Sequence, residues 1–78
     1  MKLVLIRWWD AYSHEAGWKK TADVGRRKPP LVKSVGYIVR RTSAQVTIAA
    51  SIVGDECDGD VIIPAGMIKD IRELAVKP

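Results

Sequence analysis

Between residues 45 and 53 apolar and polar positions alternate cleanly: Val46, Ile48, Ala50 and Ile52 point one way, Gln45, Thr47, Ala49 and Ser51 the other. A period of two is the mark of a half-buried strand. Residues 31–41 read as another strand, with Val35, Tyr37 and Val39 on one face and Gly36 and Ile38 on the opposite one. A glycine inside such a run marks a bulge or a close approach of backbone. Residues 2–11 form the first strand, rich in β-forming Leu3, Val4, Leu5, Ile6, Trp8 and Trp9. Val4, Ile6 and Trp8 share one face with Lys2 and Asp10 at its ends; Leu3, Leu5 and Trp9 share the other with Arg7. A strand apolar on both sides needs cover on both. One of the two adjacent tryptophans therefore fills the core, and the other face is covered by a loop or by a second subunit.

Between the first two strands, residues 12–30 lose all periodicity and hold Gly17, Gly25 and the pair Pro29-Pro30. A loop of this length in a small domain is usually functional or disordered, and Trp18 in its middle favours order, pinning it to the body. Residues 41–44 make a short polar hairpin connection. Residues 54–60 read as an acidic turn with Asp58-Gly59 as its breaker, followed by a short strand over 61–63 that Pro64 stops. Beyond Pro64 two readings fit. Ile68, Ile71, Leu74 and Ala75 have helical spacing, with Pro64 in first position. Gly66 weakens that helix, so one 3₁₀ turn and a last strand around residues 69–74 is the reading adopted. The resulting order predicts an all-β chain: a small five-stranded SH3-like barrel spanning residues 1–78 as a single domain. It has a long basic first loop over 12–30 and a 3₁₀ turn before the last strand. Closing such a barrel removes the sheet edges that a short chain would otherwise expose.

Composition narrows the class. At 78 residues, with 47% hydrophobic and 28% charged residues, the chain resembles an ordinary globular domain but has room for one small core. A lone Cys57 cannot close an internal disulfide, and the Cys/His content is too low for a structural zinc site. The longest apolar runs, residues 3–6 and 61–63, are too short for a bilayer span or a signal-peptide core. The net charge of +4 conceals a division: residues 1–41 carry ten basic and three acidic side chains, residues 42–78 three basic and six acidic. Such polarity fits either an anionic partner or attraction between the two halves, within or between subunits.

The chemistry points away from catalysis. His14 and Cys57 are the sole residues of their kinds. Cys57 stands among carboxylates, the opposite of the electropositive surroundings that a thiolate nucleophile needs. Ser13-His14-Glu15 holds the letters of a triad, but adjacent residues do not converge on one atom. Residues 54–65 faintly resemble a calcium loop, yet glycine and alanine stand where its first and last carboxylates belong. No metal or cofactor is expected. The informative segment is the basic loop. Trp18, Lys19, Lys20, Arg26, Arg27 and Lys28 place five cations around an indole, opposed locally by Asp23. Guanidinium forks chelate phosphate and an indole stacks on a base. Trp9 and His14 join these as candidate ligand contacts.

Four segments carry a resemblance: Trp8-Trp9-Asp10-Ala11-Tyr12-Ser13, Gly17-Trp18, Ser34-Val35-Gly36-Tyr37, and Ile63-Pro64-Ala65-Gly66-Met67-Ile68 with Ile71 and Leu74. Together they resemble a widespread family of small tailed-phage proteins, with a Trp-x-Asp-Ala start, Gly-Trp, Ser-Val-Gly-aromatic and an Ile-Pro-x-Gly-Met-Ile ending. The resemblance implies phage origin, the cytoplasm of an infected bacterium, and an accessory role rather than a virion shell; it carries no catalytic residue over. Three functions are then expected, in this order. The first is a homo-oligomeric counter-defence protein that sequesters an anionic nucleotide-type signalling ligand. The second is a protein-binding inhibitor of a host enzyme, either a defence effector or an RNA polymerase. The third is a non-specific nucleic-acid-binding module.

Overall fold

The computed structural model describes residues 1–11 and 16–75. The alternating segments become strands where the pattern places them: β1 spans Leu3–Trp9, β2 Leu31–Arg41 and β3 Gln45–Val53. β4 spans Glu56–Pro64, and the 3₁₀ turn Ala65–Met67 leads into β5, Ile68–Glu73. All pairings are antiparallel, in one five-stranded sheet ordered β4-β3-β2-β1-β5. β4 and β5 are thus the two edges. The sheet is curled, not closed into a barrel.

The curl follows from which side chains need cover. Val4 and Ile6 of β1, Val46 and Ile48 of β3, and Ile63 of β4 are buried together, at most 2% exposed. Trp8, Ile38, Val61, Ile68 and Ile71 pack around them, so β5 folds over the same core that β3 and β4 supply. Burying each of these aliphatic side chains contributes about 1.5–3 kcal/mol. β2 crosses this core with Gly36, whose missing side chain lets β3 approach: a Cβ there would stand 2.9 Å from the Ala49 carbonyl oxygen. A bulge between Ile38 and Arg40 then bends β2. Of the paired tryptophans, Trp8 is the one turned to the core, where its indole Nε1 donates to Ser34 Oγ at 3.0 Å. Trp9 faces the opposite side and stays 39% exposed.

Three expectations change. Residues 54–60 are not a turn: the reversal is Gly54-Asp55 alone, and Glu56 onward is strand paired with β3. The strand that Pro64 closes is longer than residues 61–63 and begins at Glu56. β1 is shorter at both ends than residues 2–11. The pairing of β3 with β2 ends at Tyr37–Ala49, while its pairing with β4 continues to Val53–Glu56. The residues beyond Ala49 and those before Val61 therefore make a two-stranded arm, exposed throughout except for the half-buried Ile52. Gly59 sits in that arm at φ +67°, and a Cβ there would meet Ala50 Cβ at 3.0 Å.

Candidate functional site

The basic loop is built around one helical turn, α1, Thr21–Gly25. Lys20 precedes it in extended conformation, and its carbonyl accepts the backbone N–H groups of Asp23 and Val24 at 3.1 and 3.2 Å. Arg26 and Arg27 close the other end, donating their backbone N–H groups to Asp23 and Val24 carbonyls at 3.3 and 3.1 Å. A turn of five residues advances about 7.5 Å. It separates Trp18-Lys19-Lys20 on one side from Arg26-Arg27-Lys28 on the other. Cations after the turn meet the negative end of the helix dipole favourably, while Lys19 and Lys20 face its positive end. At the base, the Asp10 N–H donates to the Pro30 carbonyl at 3.1 Å and holds the two stems together.

Every residue from 16 to 30 is exposed, and Trp18 completely so, at 105% of its reference area. Trp18 therefore does not pin the loop to the sheet. The indole is instead a surface element presented to solvent beside Lys19 and Lys20. Of the sequence candidates, Trp18, Lys19, Lys20, Arg26, Arg27 and Lys28 share this loop. Trp9 stands apart from that set in its contacts: the Lys69 ammonium lies 5.6 Å above its ring centroid, a cation–π contact that ties it to β5. His14 lies outside the described residues. Among the described residues no cluster of His, Cys, Asp and Glu is arranged to hold a metal ion, and Cys57 is exposed on β4 between Glu56 and Asp58.

A second charged group went unread in the sequence. On the outer face of β1 the Arg7 guanidinium donates to both Asp70 carboxylate oxygens, through Nε to Oδ1 at 2.8 Å and through Nη2 to Oδ2. The hydrogen bond from Arg7 holds the Asp70 carboxyl below the ordinary carboxylate range, and Asp70 in turn raises the guanidinium. Leu5, Lys33 and Arg72 complete a shallow cleft of about 210 Å³ around this pair. The signal was present: Arg7 is the one charge on the Leu3–Leu5–Trp9 face, and it needed a carboxylate opposite. A hollow of about 500 Å³ opens where β5 approaches the β2–β3 turn, and its lining includes Arg41, Val46, Ala65, Ile68, Asp70 and Ile71. No family model, curated protein or solved structure matches the chain.

Proposed function

We propose that this chain is a non-catalytic binding module that takes a nucleotide-type anion on the loop 16–30. Trp18 stacks on a base, while Arg26, Arg27, Lys28, Lys19 and Lys20 meet its phosphates. The carrying observation is the complete exposure of Trp18 beside Lys19 and Lys20, on a loop whose second cation cluster follows α1. Stacking on an open aromatic is tolerant of base identity, and a run of cations tracks phosphates. The ligand-side geometry is open rather than enclosed, so more than one base–phosphate unit adds contacts, and a short oligonucleotide is held better than a mononucleotide. The strand order, with β1 between β2 and β5, supports an SH3-like barrel left open between β4 and β5. The tailed-phage resemblance supports reading the chain as a counter-defence accessory that sequesters its ligand in an infected bacterium.

Titration of intrinsic fluorescence at low salt tests the reading, with adenosine diphosphate, a cyclic dinucleotide and a short oligothymidylate as ligands. Quenching that tightens with the number of phosphates, is lost in Trp18→Ala and falls at least tenfold in Arg26→Ala/Arg27→Ala supports it. Absence of quenching by all three, or an unchanged affinity in the double variant, sinks it. A stoichiometric host protein retained from lysate in place of any nucleotide would instead favour the inhibitor reading.

A further inference from the structure

The β3–β4 arm is the acidic counterpart of the basic loop. From Ala44 to Met67 the chain has no Lys or Arg and four carboxylates, Asp55, Glu56, Asp58 and Asp60. Residues 16–30 hold five cations and one carboxylate, so the two segments carry equal and opposite charge. Both are exposed along almost their whole length. Among the described residues no ion pair joins them, and the salt bridges present are Lys2–Glu73 and Arg7–Asp70, elsewhere on the sheet. The arm also offers a shape. Ser51 pairs with Asp58 and Val53 with Glu56, so these four side chains share one face of the ribbon. With Cys57 they line a hollow of about 140 Å³. Its apolar element, Val53, is 77% exposed, and two carboxylates frame it.

We propose that this hollow receives Trp18 of a second copy of the chain, with the partner's loop cations against Glu56, Asp58 and Asp60. An indole flanked by positive charge meets an apolar floor flanked by negative charge, and the aromatic anchor is the kind of residue that dominates small interfaces. The area is modest, so the association is weak and salt-sensitive. A two-stranded ribbon with little cover of its own gains order from the contact. The contact requires no nucleotide and stands or falls separately from the loop's ligand.

Sedimentation velocity at low salt over a range of concentrations, without ligand, reads the contact directly. The wild type is expected to self-associate, and Trp18→Ala and the arm variant Glu56→Lys/Asp58→Lys to remain monomeric under the same conditions. The loop variant Arg26→Glu/Arg27→Glu should also be monomeric alone, yet equimolar mixing of the arm and loop variants should restore association. All three changes lie on exposed residues, and circular dichroism confirms that each variant folds. A wild type that stays monomeric to about millimolar concentration overturns the proposal, as does an oligomer indifferent to these changes or a mixture that fails to associate.

Discussion

Single residues decide how closely this sheet can pack. Gly36 is buried on β2, and the atom nearest to an added Cβ is the Ala49 backbone oxygen, followed by Ile48 Cβ at 3.2 Å. A carbonyl in a strand ladder cannot swing aside as the end of a long side chain can. Gly36→Ala should therefore lower stability by about 1–3 kcal/mol, the usual cost of overpacking, read from the urea midpoint at unchanged slope. Asp70 acts through charge. Its folded pKa lies below the ordinary 3.8 because Arg7 hydrogen-bonds the ionised form. A carboxyl depressed in the fold contributes stability that is fully present above its unfolded pKa and is lost as pH falls through the folded value. Wild type should thus exceed Asp70→Asn in stability near neutral pH, and the gap should close below the ordinary carboxylate range. Denaturation midpoints of both proteins along an acid series check this; a gap independent of pH would mean that packing, not ionisation, sets it.

At the level of elements, what was legible depended on whether one face is buried. β2 and β3 have the bounds their alternation implies because Ile38, Val46 and Ile48 must face a core while their neighbours need not. The choice of a 3₁₀ turn and strand after Pro64 also holds: Gly66 disfavours a helix, and Ile68 and Ile71 reach the core from a strand. The second half of β4 was read as a strand over 61–63, but its first five residues, Glu56 to Asp60, were hidden because they bury nothing and so carry no apolar period, although they run paired with β3. Carboxylates on an edge strand also discourage pairing with another sheet, and that composition reads as a turn. α1 left no trace for a similar reason, having no buried residue to set a helical stripe. The loop's cations were legible as a cluster because charge needs no fold to be counted, but the exposure of Trp18 was not. β4 should accordingly behave as two halves. Ile63 is fully buried, and Ile63→Ala should cost about 2–5 kcal/mol, whereas Val53→Thr in the arm should change the unfolding midpoint little. Amide exchange should divide at the same place, fast in the arm and slow around Ile63.

On the scale of the whole molecule, a small net charge is the residue of two large opposed ones. The basic loop and the acidic arm are exposed surfaces on one chain, and the readings above give the loop two partners, a nucleotide and the arm of a second copy. Both use Trp18 and the same cations, so they exclude each other. Anything that binds only the free loop must draw on the population of dissociated chains, which mass action sets. Raising the protein concentration at fixed oligonucleotide should therefore weaken the apparent affinity per chain, and oligonucleotide should shift the sedimentation profile toward monomer. The arm variant Glu56→Lys/Asp58→Lys, freed from self-association, should bind the oligonucleotide more tightly than wild type, with no dependence on protein concentration. Added salt weakens both contacts, so the comparison is made at one ionic strength. Equal affinity at low and high protein concentration in the wild type would show that the two partners use different surfaces, and the loop would then have only one of these occupants.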